Sequence, residues 1–95
     1  MNSLDNNNWQ EFVKVCNAIE SLDELNMFFD TLLTVSEKIE LAKRLTILRE
    51  LLTSNRTQRD LAKQLQVSLA NVTRGSNVLK NTNFDLKKIL KLRDN

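Results

Sequence analysis

The stretch RTQRDLAKQLQVSLANVTRGSNVLK, residues 56–80, decides the fold, because it contains two short helical patterns separated by a tight break. The first pattern begins at Thr57, whose hydroxyl can cap a helix with Asp60 as the acidic partner three residues later. Ser68 can cap the second helix. Two short amphipathic helices joined this closely are typical of a helix-turn-helix, over about residues 57–80, and therefore predict DNA binding.

Apolar and polar side chains fall on different faces of these two helices. The residues expected to face inward are Leu61, Ala62, Leu65, Leu69, Val72 and Leu79. The residues left to face outward from the second helix are Ala70, Asn71, Thr73, Arg74 and Asn77. Amide, hydroxyl and guanidinium groups suit base edges and phosphates. Any small helical bundle has similar polar faces, so the pattern alone also allows a helical protein interaction module.

Charge is distributed unevenly along the chain. Residues 1–42 contain 2 basic and 8 acidic residues, whereas residues 43–95 contain 12 basic and 4 acidic residues. The net charge is therefore −6 for the first part and +8 for the second. This asymmetry predicts that a polyanion such as DNA binds the C-terminal half. An acidic protein partner is the alternative, and a solvated helical surface accounts for the lysines near the C-terminus.

Composition bounds the fold class and argues against catalysis. With 95 residues, no proline and one glycine, the chain predicts a single all-α domain. It has no histidine, a lone cysteine and no cluster of metal ligands, so we expect a binding protein with no catalytic residues and no metal. No targeting sequence or long apolar run is present, which predicts a cytoplasmic protein that does not contact membranes.

Hydrophobic periodicity predicts six helices. Residues 1–8 are polar and predict a short flexible arm, and residues 9–95 predict one helical domain. The first helix is expected to begin near residues 5–8. The second follows the capping residue Ser21 and is apolar all round, which predicts that a partner chain encloses it.

The long third helix and the last helix complete this pattern. The third is predicted to start at Thr34-Val35-Ser36-Glu37, another capping-box spacing, and to run to about Thr53. Its expected core row is Leu41, Leu45, Leu48 and Leu52. The last helix is expected to follow residues 81–83 and to carry Phe84, Leu86, Ile89, Leu90 and Leu92.

The only glycine of the chain, Gly75, lies inside the predicted second helix of the motif. A glycine there costs about 0.5 to 1 kcal/mol relative to alanine. Close helix packing or a frayed helix end would explain it. So would a bound molecule beside Arg74 that needs the space, and glycine alone does not separate these explanations.

Several motifs together resemble the tryptophan repressor family. The two that carry most of the resemblance are Thr73-Arg74-Gly75-Ser76-Asn77 and Thr57-Gln58-Arg59-Asp60-Leu61. Three further stretches agree in the same order, namely Trp9-Gln10-Glu11-Phe12-Val13, Leu32-Leu33-Thr34 followed by Glu37, and Arg49-Glu50-Leu51-Leu52. The resemblance covers nearly the whole chain, from about Trp9 to the last helix, and needs no gap through the helix-turn-helix, so it is far more specific than any one motif.

The resemblance implies a bacterial, all-α intertwined homodimer that represses transcription by binding double-stranded operator DNA. L-tryptophan is implied as the corepressor, with no other cofactor. Arg44 and Arg74 would sandwich its indole ring, Arg74 would pair with its carboxylate, and Gly75 would leave space for the ring. Thr34 and the carbonyls around Leu32 and Leu33 of the partner chain would hold its ammonium group.

The family also implies which residues would contact DNA. Gln58 and Arg59, at the start of the first motif helix, would touch phosphate and a base. The residues that would enter the major groove are Leu69, Ala70, Asn71 and Thr73, with Asn71 best equipped to read a base edge. Lys63 and Lys80 are expected beside phosphates.

Three departures from the family pattern bear on function. Val78 occupies the place of a serine near the ligand amine, so the effector could be another indole or amino acid, or the protein could bind DNA constitutively. Gln66 stands where the family often has glycine, at a cost of about 1 kcal/mol if its φ angle is positive. Asn71 replaces a threonine of the reading face, so the operator is expected to differ.

Overall fold

A computed structural model describes residues 1–91, and within them all of the regular secondary structure is helical, which confirms the all-α prediction. The helices are α1 (Ser3–Ala18), α2 (Leu22–Leu32), α3 (Val35–Thr53), α4 (Gln58–Leu65), α5 (Leu69–Asn81) and α6 (Leu86–Ile89). The fold divides into two compact units, the first over Met1–Lys38 and the second beginning at Ile39. The predicted single domain over residues 9–95 stays a prediction, and residues 92–95 lie outside the described part.

Local capping bonds set the helix starts that the sequence predicted. The side chains of Ser21, Thr57 and Ser68 each accept a hydrogen bond, at 3.1 Å in every case, from the backbone N–H three residues later. These bonds satisfy N–H groups that the first turn of a helix leaves without a partner. The starts of α2, α4 and α5 are therefore confirmed.

A reciprocal pair of hydrogen bonds caps the start of α3. The Glu37 carboxylate accepts from the backbone N–H of Thr34 at 2.9 Å, and the Thr34 hydroxyl accepts from the backbone N–H of Glu37 at 3.2 Å. The backbone bond first, and then the Thr34 side chain, lower the pKa of Glu37 below its ordinary value. The stabilisation from this pair is therefore present above the ordinary carboxyl pKa and is lost as the pH falls through the lowered one.

The first unit is built around aromatic rings. Trp9 and Phe12 of α1 stack with their centroids 5.2 Å apart, and Phe12 lies 6.0 Å from Phe28 of α2. Other apolar side chains of these helices are exposed, including Leu22 at 75% and Met27 at 60%. The two helices thus carry more apolar surface than this unit buries.

The first helix begins earlier than the sequence pattern indicated. It starts at Ser3 rather than near residues 5–8, because the Asn2 side chain accepts a hydrogen bond from the backbone N–H of Asp5 at 2.8 Å and caps it. The residues predicted as a flexible arm are therefore helical from Ser3 onwards. A polar segment with little to bury still forms a helix when it extends one that is already nucleated.

The core of the second unit comes from α3, α4 and α5. Its buried residues are Ile47, Leu61, Ala62 and Val72, and Leu51, Leu65 and Val67 pack against them. The predicted inward positions of Leu61, Ala62 and Val72 are confirmed. Leu69 is 42% exposed, so its inward position was wrong. As the first residue of α5, it lies at the helix end rather than over the core.

The predicted core row of α3 was wrong in part. Leu41 and Leu45 are 50% and 40% exposed, whereas Ile47, outside that row, is only 3% exposed. Apolar residues occur on more than one face of α3, so periodicity could not identify the face that packs against α5.

The last helix is shorter than predicted. The Asp85 side chain accepts from the backbone N–H of Lys88 at 3.2 Å and caps α6, which leaves Phe84 outside the helix and 58% exposed. Leu90, which follows the last residue of α6, keeps right-handed backbone angles, and the chain leaves that conformation at Lys91, whose φ is 54°. Leu92, which was also predicted for this helix, lies outside the described residues.

The turn between α4 and α5 requires a left-handed residue, and that residue is Gln66. Its φ and ψ angles are 56° and 47°. The backbone N–H groups of Gln66 and Val67 donate to Lys63 and Ala62, at 3.3 and 3.0 Å, and close the turn. A side chain in this conformation is strained because its Cβ crowds the following carbonyl oxygen.

We expect Gln66→Gly to raise the free energy of unfolding by about 0.5 to 1 kcal/mol, because glycine adopts a positive φ without strain. Chemical denaturation at fixed protein concentration measures this. Gln64→Gly is the matched control, since Gln64 is exposed inside α4 and glycine there is expected to cost about 1 kcal/mol. Equal destabilisation by both changes would contradict the account of the turn.

Candidate functional site

One cavity of the second unit lies between α3 and α5 and brings together four of the predicted ligand residues. Its volume is about 180 Å³. The residues that line it are Glu40, Lys43, Arg44, Ile47, Leu48, Asn71, Arg74, Gly75 and Val78. Arg44 and Arg74, from different helices, therefore line one cavity, and the ligand role that the family resemblance implies for them stays a prediction.

Helical spacing explains why these residues meet. On α3 the lining residues follow Glu40 at steps of three, four, seven and eight, and on α5 they follow Asn71 at steps of three, four and seven. Residues at these steps lie on one face of a helix. Sequence analysis missed Glu40, Lys43, Ile47 and Leu48 as lining residues. The same spacing counted from Arg44 would have found Glu40, Ile47 and Leu48, but not Lys43, which directly precedes Arg44.

The cavity has an apolar part and a charged part. Ile47 is buried, and Leu48 is half-buried, whereas the side chains of Arg44 and Arg74 are exposed. Val78 contributes an apolar side chain that is 43% exposed. A flat apolar group could lie on this surface between two guanidinium groups, which stack on aromatic rings and bind carboxylates.

Gly75 allows α5 to approach α3 closely. A Cβ atom built there would lie 3.0 Å from Cγ2 of Ile47 and 3.2 Å from Cδ1 of Leu51. Its φ angle is not positive, so backbone conformation does not demand glycine. Close helix packing, one of the three explanations open from sequence, therefore accounts for this glycine by itself. Its predicted role toward a ligand stays a prediction.

The remaining predicted ligand residues, Leu32, Leu33 and Thr34, lie where α2 ends and α3 begins. Leu33 is the residue after the last turn of α2, and its backbone N–H donates to the carbonyl of Phe29 at 2.8 Å. The Thr34 hydroxyl accepts the capping bond before α3. This cap is an ordinary structural role for Thr34, and its role toward a ligand stays a prediction.

The predicted DNA contacts lie on α4 and α5. Arg59, Lys63, Leu69, Ala70, Asn71, Thr73 and Lys80 are exposed, and Gln58 is half-buried. One hydrogen bond connects the two helices on this surface, because the Thr73 hydroxyl donates to Oε1 of Gln58 at 2.8 Å. Asn71 also lines the cavity, so this one residue belongs to both predicted sites.

A second cavity of the same unit, of about 300 Å³, is mostly apolar. Its lining residues are Ile39, Ala42, Lys43, Thr46, Leu65 and Val67. Within residues 1–91 there is no group of three or more residues suited to hold a metal ion. No helix of that part has the length and hydropathy to cross a bilayer.

In an exposed helix interior, replacing glycine with alanine stabilises a protein by about 1 kcal/mol. We expect Gly75→Ala to give no such stabilisation, because the new methyl group would meet Ile47. Thermal or chemical unfolding at fixed protein concentration is the measurement. Asn77→Ala serves as the control, since Asn77 is exposed on the same helix and should gain about 0.5 kcal/mol. A gain of about 1 kcal/mol from Gly75→Ala would refute close packing as the reason for the glycine.

Comparisons with known proteins show the family of this chain. A family model described as Trp repressor protein matches residues 7–94. The chain is 38% identical over 85 residues to the Trp operon repressor homolog of Chlamydia caviae, which covers 90% of this chain and 84% of that relative. It is 36% identical over 90 residues to the homolog of Chlamydia trachomatis serovar D, covering 95% and 96%. The homolog of Vibrio parahaemolyticus is 36% identical over 84 residues, covering 88% and 82%.

These matches confirm the resemblance that the motifs indicated. They extend over nearly all of this chain and most of each relative. The chain belongs to the Trp repressor family, a family of regulatory DNA-binding proteins.

Proposed function

We propose that this protein is a sequence-specific transcriptional repressor whose affinity for operator DNA depends on L-tryptophan. The observation that carries the proposal is the cavity that Arg44 and Arg74 share between α3 and α5, next to the predicted DNA-contacting helix. Membership of the family supports a regulatory DNA-binding role rather than catalysis.

The chemistry of the cavity suits a flat amino acid. The indole ring would lie between the guanidinium groups of Arg44 and Arg74, above the apolar side chains of Ile47 and Leu48. Arg74 would also pair with the ligand carboxylate, since a guanidinium group matches the geometry of a carboxylate. Gly75 would keep α5 close to α3 and would leave the ring space beside it.

The predicted homodimer would complete this site. Carbonyls around Leu32 and Leu33 at the end of α2, together with Thr34, would reach the ligand ammonium from the second chain. A helix C-terminus favours a cation because its last carbonyls lack partners. Several apolar side chains of α2 and α3 are exposed, among them Leu22, Met27 and Leu41. These exposed side chains support a second chain that would cover both helices.

For DNA, α4 and α5 would form the helix-turn-helix, with α5 in the major groove. Leu69, Ala70, Asn71 and Thr73 would meet the bases, and the Asn71 amide suits a bidentate contact with adenine. Gln58 and Arg59 would contact phosphate and a base. Lys63 and Lys80 would neutralise phosphates, which makes binding sensitive to salt.

The ligand and DNA would be coupled through α5. Arg74 lines the cavity, and Asn71, one turn earlier, lines it too while lying in the proposed reading face. A ligand that fixes α5 against α3 would thereby fix the angle at which Asn71 meets a base. Such coupling is reciprocal, so DNA would raise the affinity for the ligand by the same factor.

Val78 supports a second candidate function, in which the effector is a different indole or amino acid, or is not needed at all. Its apolar side chain lines the cavity where the family pattern has a serine near the ligand amine. Thermal shift with indole, tryptamine and L-tryptophan separates these cases, because a constitutive DNA binder gives no shift with any of them.

We expect L-tryptophan to raise the affinity for selected DNA by about 5- to 150-fold, the usual range of allosteric coupling. Bound sequences would first be selected from random duplexes in the presence of the ligand, and a gel shift assay at matched salt would then compare affinities with and without it. Affinity unchanged by saturating ligand would remove the corepressor role. Binding that ignores sequence and disappears with salt would instead favour an interaction module for an acidic protein.

Arg74→Ala is expected to weaken L-tryptophan binding by at least about tenfold and to remove ligand dependence from DNA binding, since it deletes one wall of the site and the carboxylate partner. Calorimetry measures the binding. Lys80→Ala is the control, because Lys80 is an exposed cation of the same helix that does not line the cavity. Full ligand dependence in the Arg74 variant would contradict the site.

A further inference from the structure

The rim of the cavity between α3 and α5 carries charges of both signs. Lys43, Arg44 and Arg74 supply three cations, and Glu40 supplies the single carboxylate. All four side chains are exposed, and within residues 1–91 none of them forms a hydrogen bond or an ion pair with another side chain. A cavity with unpaired groups of both signs can bind a molecule that itself carries both signs.

The spacing of these groups along α3 separates a charged end from an apolar end. Glu40 precedes Arg44 by four residues and Ile47 by seven, which corresponds to about 6 and 10 Å along the axis of an α-helix. The apolar end contains Ile47 and Leu48 and is the part that approaches Gly75 of α5. A ring resting at the apolar end would thus leave its polar substituents near Glu40 and the cations.

A zwitterionic amino acid needs two different partners at that charged end. The guanidinium groups of Arg44 and Arg74 suit its carboxylate, but they repel its ammonium group. Val78, the residue on α5 at this cavity that departs from the family pattern, has no polar atom to offer. Among the residues that line the cavity, only Glu40 carries a negative charge.

We propose that the Glu40 carboxylate contacts the ligand ammonium group, in addition to the carbonyls that the second chain would supply, and therefore contributes to specificity for a primary amine attached to a flat apolar ring. The proposal rests on the proposed function and deepens it, because it names the ligand class that the same cavity selects. It also assigns a polar contact to a residue of the same chain, in a cavity where the Val78 side chain offers none.

A general electrostatic role for Glu40 predicts something different. If Glu40 only moderated the positive charge of Arg44 and Lys43, its neutralisation would affect every ligand that keeps a carboxylate in the same direction. A direct contact with the ammonium group instead predicts opposite effects on a ligand that has the amine and on one that lacks it. The two roles are therefore distinguished by ligand chemistry rather than by protein stability.

The test measures calorimetric binding of L-tryptophan, tryptamine and indole-3-propionate to the full chain and to Glu40→Gln. Tryptamine lacks the carboxylate, and indole-3-propionate lacks the amine. We expect Glu40→Gln to weaken L-tryptophan and tryptamine by about tenfold, as for loss of a charged hydrogen-bond partner. Indole-3-propionate should bind the variant as well as it binds the unaltered chain, or more tightly. Glu50→Gln is the matched control, since Glu50 is on α3 but does not line the cavity.

Three results would overturn the proposal. Unchanged binding of all three ligands by Glu40→Gln, or equal weakening of all three, would remove the role of Glu40 while leaving the proposed corepressor site intact. Failure of the unaltered chain to bind any of the three ligands would overturn the proposed function and this proposal together. Because Glu40 is exposed, circular dichroism of the variant provides the check that its fold is unchanged.

Discussion

The close approach of α5 to α3 at Gly75 is the contact on which the second unit depends. A Cβ at that position would come within 3.0 Å of Ile47, a residue that is itself only 3% exposed. The missing side chain lets the two helices pack at the level of Ile47 and Leu51, beside the cavity that Glu40 and Arg44 help to line. The same contact orients α5, whose exposed side chains include the proposed base-reading residues.

Under the proposed function, one helix, α5, serves two surfaces. Arg74 and Gly75 lie on the side of α5 that faces α3, and Leu69, Ala70 and Thr73 lie on the exposed side. Asn71 belongs to both. The Thr73 hydroxyl joins α5 to Gln58 of α4, so the two helices of the proposed reading surface are also connected to each other by a side-chain hydrogen bond. Under the proposed function, any ligand that changes the angle between α5 and α3 would change what this surface presents to DNA.

Much of this arrangement could be predicted from the sequence. The starts of α2, α3, α4 and α5 were predicted from Ser21, Thr34, Thr57 and Ser68, because capping bonds join residues only three positions apart. The meeting of Arg44 with Arg74 was predicted from family motifs that extend over most of the chain. The strain at the turn was predicted only for the case of a positive φ at Gln66. A residue in place of a glycine lowers stability there only if φ is positive, and φ is 56°.

Sequence by itself determined the helical class, the capped starts of four helices, the family and the residue types available for binding, because these depend on local bonds and on motifs in order. Only the tertiary structure decided which apolar face of α3 is buried, that Gly75 serves close packing, and that Glu40 and Lys43 share a cavity with the two arginines. The physical reason is that the burial of a side chain depends on which helix packs against it. Leu41 and Ile47 look equally apolar in the sequence, and only the position of α5 makes Ile47 the core residue.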